Sequence, residues 1–178
     1  MNLNPDDLRS LGIPPEFFEA RQLSRCEEAS HLVFVELGAD GREHFLAPAA
    51  ALAWKTMQAA AKAEGLPLLI VSAFRSIDRQ AQIIRRKLAQ GLSLDEILQV
   101  SAPPGFSEHH TGLAIDIGTP ESQSLETGFA QTAAFAWLCR HAGKFGFRMS
   151  YPENNPSGFL YEPWHWCFVA GSANAQDL

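Results

Sequence analysis

The chain must fold around the segment Ser107-Glu-His-His-Thr-Gly-Leu-Ala-Ile-Asp116 and a later segment, Glu162-Pro-Trp-His165. Together the two segments supply imidazole and carboxylate groups of the kinds that zinc binds in hydrolytic centres. A catalytic zinc ion keeps three protein ligands and leaves a fourth position to water, whose pKa it lowers to about 7. We predict that the three ligands are His109, Asp116 and His165, which the fold must bring together from distant positions.

A carboxylate beside such a centre is needed to take a proton from the water and to pass it to the leaving amine. Glu162 is our candidate, because it lies three residues before His165. The spacing differs from the His-Glu-x-x-His motif, in which both imidazoles lie on one helix face. On a regular strand Glu162 and His165 would face opposite sides, so we expect Pro163 to break the strand and to let both side chains reach the metal.

The other histidines are interpreted differently. His110 directly follows His109, and successive side chains in extended backbone point to opposite faces. We therefore expect His110 to pack or to support a ligand, and not to be a fourth ligand. His31, His44 and His141 have no comparable neighbours and are assigned structural roles.

Arg75 lies between a predicted strand and a predicted helix. Residues 68–74 form an apolar, β-branched run of strand length, and residues 77–88 alternate with a helical period. A guanidinium at a strand end can donate forked hydrogen bonds to a carboxylate or to a developing oxyanion. The alternative is a surface arginine near a helix start, where the helix dipole disfavours its charge. Taken by themselves, these residues are compatible with both interpretations.

Three motifs follow one another along the chain: Ser72-Ala-Phe-Arg75-Ser76, then Ser107-x-His109-x-x-Gly112-x-Ala114-x-Asp116, then Glu162-x-Trp164-His165. In this order they resemble the VanY-type D-alanyl-D-alanine carboxypeptidases and the related L,D-carboxypeptidases, zinc enzymes that trim peptidoglycan stem peptides. The resemblance runs from about Leu46 to Val169. It implies one zinc ion per chain on His109, Asp116 and His165. It also implies that Glu162 is the catalytic acid and base and that Arg75 stabilises the scissile carbonyl or holds the substrate.

The same resemblance implies a set of substrate contacts around the metal. They are Ser76, Gln80, Ser107, Tyr151 and Trp164. The chain departs from the family pattern at two places, because His110 stands where glutamine is common and the loop from Tyr151 to Glu162 is short beside some relatives. The short loop bears on the predicted contacts at the rim of the substrate cleft and does not bear on the predicted metal ligands.

The composition indicates one compact enzyme domain over residues 1–178, with an N-terminal wrap at 1–30 and a polar tail at 171–178. With 178 residues, of which 46% are hydrophobic, the chain can bury a substantial core but is short for two full domains. The net charge is −6 and the sequence has no basic patch. Nucleic acid is therefore not an expected partner, and we expect peptidoglycan-derived peptides (muropeptides) instead.

The first residues and the cysteines bear on the cellular compartment. Residues 1–10 lack the positive start, the apolar stretch and the cleavage site of a secretory signal, and no segment has the ~18 continuous apolar residues of a membrane span. Cys26, Cys139 and Cys167 are odd in number and widely spaced, which favours a reducing compartment. We expect a cytoplasmic protein. The alternative is a periplasmic or extracellular protein whose export signal was removed.

Hydrophobic periodicity and turn residues predict an α+β fold. A hairpin is expected at 31–46 around Asp40-Gly41, and a loop at 102–106. Helices are expected at 48–64, 77–88, 94–100 and 129–144, the last burying Phe135, Leu138 and Cys139. Strands are expected at 68–74, 112–117 and 164–170. The result is a small, largely antiparallel sheet that carries the zinc site and is backed by helices.

The expected function is removal of the C-terminal D-alanine from peptidoglycan stem peptides. We favour L,D-carboxypeptidase activity on tetrapeptide muropeptides in cell-wall recycling, because a cytoplasmic enzyme would meet recycled peptides whose last bond joins an L-centre to D-alanine. The enzymatic alternatives are a D,D-carboxypeptidase on pentapeptides, a D,D-dipeptidase and an L-alanyl-D-glutamate endopeptidase. A muropeptide-binding module with structural zinc is the non-enzyme alternative, and it would need a closed shell of four ligands.

Overall fold

The computed structural model describes residues 8, 10–14, 16–122 and 125–169. The predicted polar tail at 171–178 and the first seven residues of the predicted N-terminal wrap lie outside these ranges. The strands are β1 Val33–Leu37, β2 Glu43–Leu46, β3 Leu69–Ser72, β4 Ala114–Gly118, β5 Phe147–Met149 and β6 His165–Phe168. The α-helices with described bounds are α1 Glu16–Ala20, α2 Pro48–Ala63, α3 Ile77–Ala89, α4 Leu94–Val100 and α5 Ala133–His141.

The strands form two antiparallel sheets. β1 and β2 make the predicted hairpin, and the other four strands form a sheet in the order β3-β4-β6-β5. All three neighbouring pairs of the larger sheet are antiparallel. β4 and β6, at its centre, contain the predicted ligands Asp116 and His165. This arrangement confirms the predicted α+β fold with a small antiparallel sheet.

Local sequence signals explain where the long helices begin and end. α2 has Pro48 in its first turn and is followed by Gly65 at φ +77°, a left-handed conformation that glycine adopts without strain. α3 begins after Ser76, whose side chain accepts a hydrogen bond from the Arg79 backbone N–H. α4 begins with a capping box between Ser93 and Glu96.

One apolar cluster lies between the larger sheet, α2 and α5. Trp54 and Met57 of α2 are fully buried in it, as are Leu138 of α5 and Ile115 of β4. Burying a side chain of this size contributes about 1.5 to 3 kcal/mol. A second cluster joins α3 and α4 to the start of the chain through Leu11, Ile13, Ile84 and Ile97, among others. The larger sheet and α3 are thus stabilised by two different clusters.

The carboxylate of Glu36 ties the hairpin to the rest of the fold. It accepts hydrogen bonds from Trp54 Nε1 at 3.3 Å and from Gln58 Nε2 at 3.0 Å, both on α2, and from the Ile70 backbone N–H of β3 at 3.1 Å. Its polar atoms are therefore paired although they lie close to the core.

The predicted helix at 129–144 is wrong as a single element. The chain forms 3-10 turns at Thr127–Gln131 and Ala142–Phe145 on either side of α5. Thr132 interrupts the run because its backbone is extended and its side chain accepts a hydrogen bond from the Phe135 N–H, which begins a new helix.

The buried face of α5 differs from the prediction at one residue. Leu138 is fully buried and Phe135 is partly buried against the core, as expected, but Cys139 is exposed. Ala134, Trp137 and Leu138 follow the three- and four-residue spacing of one helix face, and Cys139 lies off that face.

Residues of the predicted wrap contact the segment that contains the metal motif. The Cys26 N–H donates to the Gly105 carbonyl and the Ala29 N–H to the His110 carbonyl, both at 2.8 Å. Within the described part of the chain, no helix is both long enough and apolar enough to cross a bilayer.

Gly112 is the position where the motif needs a residue without a side chain. Its φ is +67°, and a Cβ atom there would lie 2.8 Å from Leu32 Cδ2 and 2.9 Å from the Ala47 backbone nitrogen. Ala47 N also donates to the Gly112 carbonyl at 2.9 Å, so the two backbones are held close together. A side chain at this position would therefore push β4 and α2 apart.

We expect Gly112→Ala to destabilise the protein by about 2 to 5 kcal/mol, because backbone strain and a backbone clash add. Gly65→Ala is the matched control: Gly65 has φ +77°, but no atom of the described residues lies within 4 Å of a Cβ there, so only the strain of about 1 to 2 kcal/mol applies. Denaturant unfolding of both variants measures the difference. Equal losses would show that the close approach at Gly112 is unimportant.

Candidate metal centre and active site

Strand pairing brings Asp116 and His165 together. They are direct partners across β4 and β6, and directly opposed residues of an antiparallel pair project from the same face. His165 Nδ1 lies 3.0 Å from Asp116 Oδ1, although 49 positions separate the two residues in sequence. Both side chains are buried.

His109 joins them from the 3-10 turn Glu108–Thr111, just before β4. Its Nε2 lies 3.2 Å from Asp116 Oδ2, and its Nδ1 lies 2.7 Å from the carbonyl oxygen of Ala73. A carbonyl oxygen can only accept, so Nδ1 carries the hydrogen and the lone pair is on Nε2. His109 is therefore oriented to offer Nε2 to a metal ion.

Glu108 orients the second imidazole, a role that the sequence analysis missed. His165 Nε2 lies 2.9 Å from Glu108 Oε2, so Nε2 donates to the carboxylate. Nδ1, which faces Asp116, is then the nitrogen that becomes available to a metal when it loses its proton. Ser150 donates to the same Glu108 oxygen at 2.5 Å, and Arg148 lies 3.5 Å from the other oxygen. Metal-bound histidines commonly donate their second N–H to a carboxylate or a backbone carbonyl. Its position next to His109 was the only signal for Glu108 in the sequence.

The candidate ligand atoms of His109, Asp116 and His165 all lie within 4.8 Å of one another. Two imidazole nitrogens and one carboxylate oxygen are a donor set that suits zinc, and both imidazoles already have the partner that fixes their orientation. Among the described residues, neither Glu162 nor a cysteine belongs to this group. It therefore has the make-up of an open, three-ligand site and not that of a closed structural one.

His110 is not part of the group. Its Nδ1 donates to the Arg75 carbonyl at 2.6 Å, and its Nε2 accepts from the Gly105 N–H at 3.1 Å. Both ring nitrogens are thus used in holding the motif to its neighbours, as expected for a supporting residue.

The buried charges of the group compensate one another. Burial by itself would raise the pKa of Asp116, but His109 and His165 hold it well below its usual range. Burial would lower the pKa of His165, but hydrogen bonds to Asp116 and Glu108 raise it to about 10. For His109 burial dominates and lowers the pKa to about 4, so its imidazole is neutral at pH 7.

Glu162 is placed beside this group by a turn. Pro163 and Trp164 form the turn, the His165 N–H donates to the Glu162 carbonyl at 3.1 Å, and β6 begins at His165. As a result Glu162 Oε2 lies 4.0 Å from His165 Nδ1. Burial raises the pKa of Glu162 to about 7, although His165 opposes the shift. A carboxylate with such a pKa can both accept and donate a proton near neutral pH.

Arg75 follows β3 and contacts the motif through its backbone, because its N–H donates to the His109 carbonyl at 3.2 Å. Burial lowers the pKa of its guanidinium, and the charges of Asp116 and Glu162 oppose that shift. Arg75 Nε is buried and has no hydrogen-bond partner in the described part of the chain. The side chain is therefore a charged donor close to both carboxylates, which removes the alternative of a solvated surface arginine.

A cleft of about 310 Å³ opens onto the group. The residues of the sequence prediction that line it are Arg75, Gln80, Ser107, His109, Asp116, Tyr151, Glu162, Trp164 and His165. Ser76 is not among the lining residues, since its side chain caps α3 instead. The prediction missed several lining residues, among them Ile83, Lys87 and Ser101.

The small antiparallel sheet, the buried His-Asp-His group and the neighbouring glutamate together have the make-up of a metal-dependent hydrolase. The sequence profile of the family described as VanY, D-alanyl-D-alanine carboxypeptidase, matches residues 43–171. The chain belongs to this family.

Two curated relatives are similar over most of this chain. YodJ of Bacillus subtilis (strain 168), assigned as a carboxypeptidase, is 38% identical over 135 residues, which are 74% of this chain and 49% of YodJ. The bifunctional D-Ala-D-Ala dipeptidase and carboxypeptidase VanXYC of Enterococcus gallinarum is 30% identical over 155 residues, which are 83% of this chain and 78% of VanXYC. The chain thus spans about half the length of YodJ.

Solved structures share the fold. The LD-carboxypeptidase LdcB is 37% identical with a TM-score of 0.71, over 80% of this chain and 69% of LdcB. A mutant of the vancomycin-resistance D,D-pentapeptidase VanY in complex with Zn(II) has a TM-score of 0.62 over 83% of this chain and 86% of that one. The VanY likeness, at 24% identity, shows the fold alone.

We expect Glu108→Gln to weaken zinc binding by about 10- to 100-fold, because the amide accepts from His165 without the negative charge that strengthens the ligand. Glu153→Gln makes the same chemical change at an exposed position and is expected to leave affinity unchanged. Competition with a chromophoric chelator measures both variants. Unchanged zinc affinity in Glu108→Gln would show that Glu108 does not support the site.

Proposed function

We propose that this protein is a zinc-dependent carboxypeptidase that releases the C-terminal D-alanine of peptidoglycan stem peptides. The observation that carries the proposal is the convergence of His109, Asp116 and His165 on one point, with Glu162 beside them in the same cleft. Family membership supports the reaction class, and the similarity to LdcB at 37% identity supports the substrate class.

Zinc is the metal we propose, bound by His109 Nε2, a carboxylate oxygen of Asp116 and His165 Nδ1. The mixed nitrogen and oxygen donors suit it, and the VanY neighbour of the same fold contains Zn(II). A zinc ion in such a site supplies a Lewis acid and lowers the pKa of a coordinated water.

Glu162 moves the protons of the reaction. Its carboxylate accepts a proton as the water oxygen attacks the carbonyl carbon of the last peptide bond. It then donates this proton to the amine nitrogen as the carbon–nitrogen bond breaks. Water is consumed, and the products are the shortened peptide and D-alanine. The pKa of Glu162, raised by burial to about 7, suits a group that alternates between the two states.

Arg75 stabilises the charge that develops during the attack. Its guanidinium lines the cleft, and its Nε has no hydrogen-bond partner among the residues that the structure describes. A donor that is unpaired in the resting site can bond to the carbonyl oxygen as that oxygen becomes negative.

We favour L,D-carboxypeptidase activity on tetrapeptides. LdcB, an LD-carboxypeptidase, has a higher sequence identity and TM-score than the VanY D,D-pentapeptidase structure. The three cysteines are free, which agrees with a cytoplasmic protein that acts on recycled muropeptides. D,D-carboxypeptidase activity is the second candidate, because VanXYC, named for D-Ala-D-Ala substrates, is similar over 83% of this chain.

Incubation of the zinc-loaded protein with a stem tetrapeptide and a stem pentapeptide, followed by mass spectrometry, tests the proposal. We expect release of one D-alanine from the tetrapeptide. Release from the pentapeptide alone would establish D,D activity, release of a D-Ala-D-Ala dipeptide would indicate a dipeptidase, and cleavage before D-glutamate would indicate an endopeptidase. Intact peptides with zinc bound would favour a binding module.

We expect Glu162→Gln to lower kcat by about 10² to 10⁴, because an amide cannot accept the proton from water. Zinc content should stay at one per chain, since Glu162 is not among the three ligands. Steady-state kinetics and metal analysis of the same preparation measure both quantities. Loss of zinc from this variant would instead make Glu162 a ligand.

Arg75→Ala should lower kcat by about 10² to 10³ while zinc remains bound, because one transition-state donor is removed. Arg79→Ala, an exposed arginine on α3 that does not line the cleft, is the matched control and should turn over normally. A metal titration accompanies the kinetics. If Arg75→Ala lost its zinc, the division between metal ligands and charge-stabilising residue would be wrong.

A further inference from the structure

One wall of the cleft carries a cation that the proposed mechanism does not use. Gln80, Ile83 and Lys87 of α3 all line the cleft. They are spaced by three and four positions, so they lie on one face of the helix. At 1.5 Å per residue, Lys87 lies about 10 Å along the helix axis from Gln80. The wall therefore offers a polar group at each end with an apolar side chain between them.

Lys87 is half-buried and is held in place by one hydroxyl group. Its Nζ donates to Ser101 Oγ at 2.8 Å, and Ser101 lines the same cleft. Among the described residues no carboxylate lies within 4.0 Å of Lys87 Nζ, whereas Arg148 and Arg42 do have such ion pairs. The ammonium group thus lies in a partly desolvated cleft without a described carboxylate in direct contact with it.

The electrostatic surroundings of Lys87 favour an added anion. Burial lowers the pKa of Lys87, and the charge of Arg75 lowers it further, while Glu162 opposes the shift. An anion bound near Lys87 would offset both the burial and the repulsion from Arg75.

Two more groups of the cleft lack partners. Gln80 Oε1 and Arg75 Nε are buried atoms without a hydrogen bond to any described residue, although Gln80 Nε2 donates to the Ala102 carbonyl at 2.6 Å. A cleft with a few unpaired polar groups among apolar ones, here Ile83 and Val100, is typical of a ligand-binding site. Of the two unpaired atoms, Arg75 Nε is a donor and Gln80 Oε1 is an acceptor. The cations that line the cleft, Arg75 and Lys87, match an acidic ligand.

We infer that Lys87, positioned by Ser101, binds a carboxylate of the peptide substrate at a point of the cleft separate from the metal ligands. The inference rests on the proposed function, because it names a further recognition point for the same peptide. A carboxylate is the anionic group that such peptides carry, either at the C-terminus or on a residue within the chain. An ammonium group with a serine beside it can donate charge-assisted hydrogen bonds to either one.

The experiment measures peptide binding without cleavage. Zinc-loaded protein carrying Glu162→Gln is titrated with a stem tetrapeptide by calorimetry, alone and combined with Lys87→Met, Lys87→Arg or Arg86→Met. Arg86 is the neighbouring residue in the last turn of α3, is exposed and does not line the cleft, so Arg86→Met removes the same charge outside it. Zinc content and thermal unfolding of each protein confirm that the site and the fold are intact.

We expect Lys87→Met to raise Kd by about 10- to 100-fold, because a charge-assisted hydrogen bond is lost. Arg86→Met should leave Kd unchanged, and Lys87→Arg should retain most of the affinity. Peptides with an amide in place of the C-terminal or of the internal carboxylate identify the bound group. The peptide in which an amide replaces the bound carboxylate should bind the Glu162→Gln protein as weakly as the unmodified peptide binds the Glu162→Gln, Lys87→Met protein. Binding of that amide peptide to the doubly substituted protein should be no weaker still.

Three results would overturn the inference: an unchanged Kd in Lys87→Met, an equal loss in Arg86→Met, or an equal loss in Lys87→Met for all three peptides, which would indicate a structural role. The inference would also be overturned if none of these peptides bound to the Glu162→Gln protein. The test is independent of turnover. If the wild-type protein released no D-alanine but Lys87 still discriminated among the peptides, the proposed reaction would fail while the carboxylate site remained.

Discussion

The antiparallel pairing of β4 with β6 is the constraint on which the site depends. It sets Asp116 opposite His165 on one face of the sheet, 3.0 Å apart. A shift of one residue in this register would turn one of the two side chains to the other face. The outer strands add the remaining supports, because the residue after β3 supplies the carbonyl that orients His109, and Ser150 after β5 donates to Glu108. The four-stranded sheet and the 3-10 turn Glu108–Thr111 before β4 together hold two oriented imidazoles around one carboxylate.

The buried polar groups of the site are of two kinds, paired and unpaired. In the ligand group every imidazole nitrogen faces a defined partner, and the two carboxylates Asp116 and Glu108 compensate the charge of His165. Such a network is stable in a buried place only when its members are paired. In the cleft, by contrast, Arg75 Nε and Gln80 Oε1 are buried without hydrogen-bond partners over the ranges that the structure describes. The paired atoms hold the candidate metal ligands in defined orientations, and the unpaired ones indicate where a ligand would complete the hydrogen bonding.

How much could be predicted depended on whether the deciding contacts were local. The beginnings of α3 and α4 follow from Ser76 and Ser93, whose caps lie within three residues of them. The predicted helix at 129–144 failed because the Thr132 side chain competes locally with continued helix, and periodicity does not register such a cap. Cys139 was assigned to the wrong face for a related reason, since an apolar run alone does not determine which positions face the core.

By itself the sequence determined the kinds of ligand and their order along the chain, because imidazoles and carboxylates at fixed spacings limit the chemistry that a segment can support. It also determined the α+β class through the hairpin and the helix signals. Only the tertiary structure decided which nitrogen of each histidine faces the candidate metal position, that Glu108 supports His165 across 57 positions, and that Lys87 shares a cleft with Glu162. These features arise from contacts between segments far apart in the chain, and local periodicity and spacing carry no information on which distant backbone atoms will meet.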